Sequence, residues 1–200
     1  MGSIVSKVLR RIDRLAGVSI EEAFLYSIRA GAARSSLPLP EGASVERSVS
    51  PPFEEMKKIG WITAQDVEQR IRRGDVCYLV YLDGALVHYS WVQFKGAMNI
   101  LGKAVTAGLE EGEFCVYDCV TAGWARGKKI YPSTISRIVS IYLTQGFSSA
   151  LIYTTKHNIA SQNGIRRAGF RQCATLKALR FGGHYFAIPG HQVLQAISEP

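Results

Sequence analysis

The chain has 200 residues, a length typical of one domain, and 47% of them are hydrophobic, as in proteins that pack a core. It contains no apolar run of the roughly 20 residues that cross a bilayer. Its four cysteines form no C-x-x-C pair, and its histidines do not stand at metal-ligand spacing from them. We therefore expect a soluble cytoplasmic protein without a metal site or a disulfide framework. The net charge of +8 favours a polyanionic partner, which is nucleic acid, a phosphate-rich cofactor or an anionic membrane surface.

Residues 1–18 are predicted to form a basic amphipathic helix, followed by a single domain over 19–200. Apolar side chains recur at helical spacing on one face, at Val5, Val8, Leu9 and Ile12. Lysine and arginine repeat on another face. Such a helix either lies on an anionic membrane or packs its apolar face on the domain, and the sequence leaves both alternatives open.

The rest of the chain alternates between strand-like and helical patterns. The predicted strands cover 23–28, a short segment near Val45, 76–82, 85–93, 113–121 with 100–106 as a candidate partner, 150–155, and one or two strands in 170–188. The predicted helices cover 64–73, 132–144 and 159–168, and residues 31–52 read as a long connection. A hairpin at Asp83-Gly84 followed later by a β-α-β unit predicts an α/β fold with a mixed sheet and helices on both faces.

The segment from Cys119 to Pro132 joins a predicted strand to a predicted helix and is rich in positive charge. A turn of this kind directs backbone N–H groups and the positive end of the helix dipole at one point, where an anion can bind. Arg126, Lys128 and Lys129 add cations at that point. We therefore predict a phosphate-binding turn, against the alternative of a solvated basic loop.

Two motifs in this region resemble those of the GNAT superfamily of acyl-CoA-dependent N-acyltransferases. One is similar to the R/Q-x-x-G-x-G/A pyrophosphate motif and the other to the later N-x-x-S/A motif with its Gly-Phe pair; the matching residues are Arg126, Gly127, Lys128, Asn158, Ser161, Gly169 and Phe170. The resemblance covers roughly residues 60–180. It implies a mostly antiparallel GNAT sheet and acetyl-CoA or another acyl-CoA as co-substrate, with no metal. It also implies transfer of the acyl group to a primary amine of a small molecule or a protein.

The resemblance also assigns roles to individual residues. The pyrophosphate would lie at Arg126, Gly127, Lys128, Lys129, Ile130 and Tyr131. The pantetheine arm would pair with the backbone of Val120 and Thr121 and contact Asn158, while Arg166 or Arg167 would reach the ribose phosphate. Ser161 is a candidate catalytic residue, with a surface helix position as its alternative. Asn158 could also simply cap the following helix.

The sequence departs from the family at three positions. Lys129 and Tyr131 stand where the family has glycine and glycine or alanine, so the phosphate would rely on N–H groups of the first helical turn. Ile165 replaces the frequent tyrosine general acid, so the leaving thiolate needs another proton source. These departures favour a second hypothesis, a degenerate fold that acts as an interaction module. A third is that the basic surface serves RNA or aminoacyl-tRNA.

Asp118 is a candidate general base. On a regular strand it shares a face with Phe114, Val116 and Val120, so a carboxylate would interrupt an apolar row. A carboxylate among apolar neighbours favours its protonated form and suits proton abstraction from an ammonium group. The alternative is a structural carboxylate bonded to backbone N–H groups.

Overall fold

A computed structural model describes residues 17–32 and 36–188. The predicted basic helix and its membrane contact lie outside these residues. The described strands are β1 (Val18–Arg29), β2 (Ala43–Ser48), β3 (Val76–Leu82), β4 (Ala85–Gln93), β5 (Ala97–Ile100), β6 (Val105–Gly108), β7 (Glu113–Thr121), β8 (Ser149–Thr155), β9 (Arg171–Phe181) and β10 (His184–Ala187). The helices are α1 (Phe53–Ile59), α2 (Ala64–Arg73), α3 (Ile130–Thr144), α4 (Ile159–Arg167) and a 3-10 helix, Gly123–Ala125.

Eight of these strands form one mixed sheet in the order β10-β9-β1-β8-β7-β4-β3-β2. Neighbouring strands are antiparallel except β7 and β8, which run parallel and are joined through α3. A right-handed helical crossover is the usual way to connect two parallel strands of one sheet. The mixed sheet expected from the order of elements is confirmed.

Helices cover both faces of the sheet. On one face, Ile135 of α3 and Ile165 of α4 pack with strand residues such as Phe114 and Val116. On the other face, apolar side chains of α1 and α2 pack over Leu79, Tyr89 and Trp91. Successive strand residues point to opposite faces, so the near-continuous apolar runs of β3 and β4 supply both layers. Among the described residues, no helix is both long enough and apolar enough to cross a lipid bilayer.

Two elements correct the sequence prediction. Helix α1 was not predicted. It has only seven residues and buries only Met56, so its sequence contains no repeated apolar positions at helical spacing. The segment 100–106 was a candidate partner of the strand 113–121, and this is wrong. Strands β5 and β6 pair with each other in a separate hairpin, since β7 already has β4 and β8 as neighbours on its two edges.

Candidate functional site

A cleft opens where β7 and β8 diverge. The two strands pair from Glu113↔Ser149 to Val116↔Ile152, whereas β7 continues to Thr121. Beyond Val116, the backbone of β7 therefore faces the cleft rather than β8. The cleft measures about 640 Å³, and its walls are the end of β7, the turn after it, the start of α3 and one face of α4.

Most of the predicted site residues line this cleft. They are Val120, Thr121, Arg126, Gly127, Lys129, Ile130, Tyr131, Asn158 and Ser161. Arg167, one of the two arginines expected at the ribose phosphate, lines it as well, and the structure adds Cys119, Ala125, Asn163 and Gly164, among others. The two motifs found 30 residues apart in the sequence thus face each other across one opening. This is where the sequence analysis expected the co-substrate.

A β-bulge reshapes β7 beside the cleft. Tyr89 pairs with Val120 and Trp91 pairs with Tyr117, so Asp118 and Cys119 together oppose the single residue between them on β4. Asp118 has a positive φ of 45°, in the left-handed region that aspartate enters more readily than most residues. A bulge inserts one residue and exchanges the faces of the side chains that follow it. Cys119 consequently packs with Phe114 and Val116, while Val120 points to the opposite layer.

The bulge overturns the argument that Asp118 interrupts an apolar row. Its carboxylate lies on the α2 side of the sheet, 2.5 Å from the Arg70 guanidinium. Arg70 also stacks near the rings of Trp91 and Tyr117, at 5.1 and 5.2 Å from their centroids. The side chain of Asp118 is only 29% exposed. The contact favours a structural role for Asp118, although its partner is the Arg70 guanidinium rather than the backbone N–H groups named in that alternative.

The turn before α3 contains a left-handed residue, a backbone conformation that glycine adopts most easily. Lys129 is the N-cap residue and has a φ of 62°, so it is not the first-turn helical residue that the sequence analysis assumed. No side chain caps the helix at this residue. The N–H groups of Lys129, Ile130 and Tyr131 have no acceptor within the helix, and Pro132 carries no N–H. Three backbone donors are therefore available at the cleft for an anion.

The basic side chains divide into those at the cleft and those directed elsewhere. Arg126 and Arg167 line the cleft. Lys128 instead lies over the Trp124 ring, with its Nζ 5.5 Å from the centroid. Arg166 donates to Gln162 Oε1 at 2.9 Å and to Asn163 Oδ1 at 3.2 Å. Of the two arginines considered for the ribose phosphate, Arg167 rather than Arg166 is thus at the cleft.

Asn158 is the N-cap residue of α4, and its Oδ1 accepts a hydrogen bond from the Ser161 N–H at 3.1 Å. This confirms the capping role, and Asn158 lines the cleft as well. Ser161 Oγ lies 3.1 Å from the Tyr131 hydroxyl, so the two helix starts are bridged across the cleft. Ile165, at the position of the family's tyrosine, is fully buried in the core.

A buried histidine without a recognisable motif supports the floor of the cleft. His88 Nδ1 lies 2.8 Å from Thr121 Oγ1, and its Nε2 lies 2.7 Å from Ser90 Oγ. Burial lowers the pKa of His88 to about 3, so the ring is neutral at physiological pH. The imidazole thereby ties the end of β7 to β4. In the described residues, no cluster of His, Cys, Asp or Glu has the arrangement needed to hold a metal ion.

Comparison with solved structures identifies the fold. A GCN5-related N-acetyltransferase from Sphaerobacter thermophilus matches with a TM-score of 0.60 and 12% identity, over 94% of this chain and 59% of that one. A GCN5-related N-acetyltransferase-like protein from Streptococcus suis matches with a TM-score of 0.57 and 14% identity, over 86% of this chain and 66% of that one. A GNAT-family acetyltransferase from Colwellia psychrerythraea matches with a TM-score of 0.52 and 14% identity, over 84% of this chain and 57% of that one.

The chain therefore has the fold of the GNAT N-acetyltransferases. It spans less than two thirds of the length of the first of these structures, at 59%. No protein-family model matches the sequence, and a search of curated proteins finds no significant relative. The likeness is one of fold, so acyl transfer by this chain has to be argued from its own residues.

Replacing Asp118 with asparagine separates its two candidate roles. If Asp118 neutralises Arg70, the variant leaves a partly buried guanidinium unpaired, and we expect a loss of about 1–2 kcal/mol in unfolding free energy after discounting for solvent. The dependence of kcat on pH should keep the parent's shape. Denaturant melts and pH–rate profiles of both proteins check this. A roughly 100- to 10,000-fold loss of kcat that shrinks at high pH would instead identify Asp118 as the base.

Proposed function

We propose that this protein transfers an acyl group, most simply acetyl, from an acyl-CoA to a primary amine. The observation that carries the proposal is the cleft beside the end of β7, beyond its pairing with β8, which leads to the N-terminus of α3. One end of the cleft presents uncapped N–H groups and arginines, which suit phosphates. The other end presents the edge of β7 that β8 leaves unpaired, which suits a chain of amides, although Thr121 O accepts a hydrogen bond from Arg126 Nε at 3.4 Å.

The phosphate end is built from backbone and side chains together. The N–H groups of Lys129, Ile130 and Tyr131 would hold the pyrophosphate, because a helix N-terminus combines free donors with a favourable dipole. Arg126 is exposed at the cleft and would add a charge-assisted contact. Arg167, on the opposite wall, would hold the 3′-phosphate. These contacts account for part of the net charge of +8.

The other end of the cleft positions the reacting group. The free edge of β7 at Val120 and Thr121 would pair with the pantetheine amides in the manner of an added strand. Asn158, on the α4 wall, offers its side-chain NH₂ group, since its Oδ1 already accepts from the Ser161 N–H. A backbone N–H near Thr121 would polarise the thioester carbonyl, which is the kind of preorganised donor that stabilises developing negative charge. His88 keeps this segment in place through Thr121 Oγ1.

Transfer then proceeds by direct attack of the free amine on the thioester carbonyl carbon, without a covalent enzyme intermediate. The thioester supplies an activated acyl group with a good leaving group. Because Arg70 already engages Asp118, we assign the amine's proton to water rather than to that carboxylate. The acceptor is a small-molecule or protein amine.

Binding and turnover with the intact protein test the proposal. Calorimetric titrations should show that acetyl-CoA binds and that CoA lacking the 3′-phosphate binds more weakly. Single-stranded RNA serves as the comparison, and its binding should fall steeply between low and high salt. Release of free CoA thiol should appear when a panel of primary amines and lysine peptides is added. The proposal is wrong if RNA binds tightly at physiological salt while acetyl-CoA does not bind. Binding of acetyl-CoA without thiol release from any of the amines would support the second hypothesis, an interaction module without catalysis.

A further inference from the structure

The outer strands of the sheet share an apolar surface far from the cleft. In antiparallel strands, residues that lie directly opposite each other point their side chains to the same face. Two rows of such residues cross β1, β9 and β10. Their members are Val18, Phe181 and His184 in the first row, and Ile20, Leu179 and Phe186 in the second. The rows are two residues apart along each strand, so all six side chains lie on one face, and we call them the outer patch.

The outer patch is largely apolar and exposed. Ile20, Phe181 and Phe186 expose 40%, 52% and 51% of their surface. None of the hydrophobic clusters formed by the described residues includes a member of the patch. On the reverse side of β9, by contrast, Leu176 and Ala178 are buried in one cluster with the β5–β6 hairpin. These strands are therefore covered on one face and open on the other within the part of the chain that the structure describes.

The open face belongs to the side of the sheet that carries α3 and α4. Phe24 lies on the same face of β1 as Ile20, because the two are four residues apart. Phe24 packs against the cluster that holds Ile135 of α3 and Ile165 of α4. The patch thus continues the surface on which these helices pack. Three strands spaced about 4.8 Å apart form a strip roughly 10 Å wide, which matches the diameter of one helix.

The chain that precedes β1 has a sequence that fits this strip. Residues 1–16 lie outside the described residues, and their sequence predicts a helix over 4–15. At 100° per residue its apolar side chains fall within an arc of about 140°, and its lysine and arginines fall on the opposite side. The apolar residues are Ile4, Val5, Val8, Leu9, Ile12 and Leu15. Gly17 follows with a φ of 63°, the left-handed conformation in which helices commonly end. The predicted helix therefore ends beside Val18, at one corner of the patch.

We infer that residues 4–15 form a helix that packs its apolar face on the outer patch and completes this layer of helices. An isolated helix of 12 residues is marginal in water, so it needs a surface to pack on. The tether of two residues keeps the segment beside the patch at a high effective concentration. A membrane surface fits less well, because residues 4–15 contain none of the tryptophan, tyrosine or phenylalanine that anchors interfacial helices. The inference does not depend on the proposed function.

Hydrogen–deuterium exchange of the full chain without lipid tests the packing. Peptides that cover residues 4–16 should exchange slowly in the parent, because a packed helix protects its amides. Phe181→Asp places a charge in the patch and should speed this exchange about 10-fold or more. The matched control is Trp61→Asp, since Trp61 is fully exposed between α1 and α2 and the charge changes equally. It should leave exchange over 4–16 as in the parent.

Two further variants approach the contact from the segment itself and leave the sheet unaltered. Ile12→Asp, on the predicted apolar face, should speed exchange over 4–16 as Phe181→Asp does. Ser6→Asp lies outside the apolar arc and changes the net charge by the same amount, so it should keep the parent's rates. Peptides from β7 report in every variant whether the domain is still folded.

Four results would overturn the inference. Exchange over 4–16 at the rate of an unstructured chain in the parent would show that the segment does not pack. Protection lost in Ile12→Asp but kept in Phe181→Asp would place the helix on another surface. Protection that appears only with phosphatidylserine vesicles would assign the segment to a membrane. Protection that rises with protein concentration, with a dimer mass in light scattering, would assign it to a second copy of the chain.

Discussion

Reversing the charge of Arg126 is expected to weaken acetyl-CoA binding by about 100-fold or more. The Arg126→Glu variant removes one charge-assisted contact to the pyrophosphate and places a carboxylate against it, and each loss is on the order of 1.5–3 kcal/mol. Arg126 is exposed in the turn before α3, so the fold should melt at nearly the parent temperature. Calorimetric titration of both proteins gives the ratio of the two dissociation constants.

The matched control is Arg137→Glu. Arg137 lies on the exposed face of α3, and its replacement by glutamate changes the net charge by the same amount as Arg126→Glu. It should retain at least a third of the parent affinity, because an exposed charge more than a Debye length from the ligand is largely screened. Equal losses in the two variants would show that only the overall charge matters, and the phosphate site would then lie elsewhere.

Acid is expected to destabilise the fold through His88 well before the carboxylates titrate. The unfolded chain takes up a proton on this histidine below its ordinary pKa of 6.5, whereas burial lowers the pKa of His88 to about 3 in the folded state. The unfolded state therefore binds more protons between these values. The free energy of unfolding should fall by about 1.4 kcal/mol for each pH unit as the pH drops below 6.5.

Denaturant melts between pH 7 and pH 5 measure this effect, because the lowered pKa values of Glu22 and Asp66 confine their contributions to more acidic solutions. The His88→Gln variant keeps hydrogen-bonding capacity towards Ser90 and Thr121 but cannot titrate, so its stability should be flat over that range. His157→Gln, at an exposed histidine, should keep the parent's slope. A flat profile for the parent would mean that His88 is protonated in the folded protein.

The sequence predicted the order of the central elements and the basic turn between β7 and α3 because both depend on local patterns. Alternation of apolar residues defined β3 and β4, and the strand-to-helix turn with Arg126 needed no distant contact. The N-cap at Asn158 was likewise predictable, since it depends on residues three apart. The position of the cleft followed from placing two such local signals on neighbouring elements.

What the sequence did not reveal depends on register and on distant partners. The bulge at Asp118 exists only because β4 opposes two residues of β7 with one, and Arg70 reaches Asp118 from 48 residues away. The side chains of Arg166 and Arg167 point about 100° apart around the axis of α4. The sequence does not show which of the two directions faces the cleft. His88 gave no signal because a buried histidine bonded to two hydroxyls has no motif.

The most direct test of the account is hydrogen–deuterium exchange of the backbone amides with and without saturating CoA. The account predicts protection in peptides that cover residues 119–131, where the free edge of β7 and the uncapped start of α3 would bind the ligand. Peptides from the β5–β6 hairpin, outside the cleft, should exchange at unchanged rates. Unchanged exchange over 119–131 together with protection elsewhere would contradict the assignment of this cleft as the acyl-CoA site.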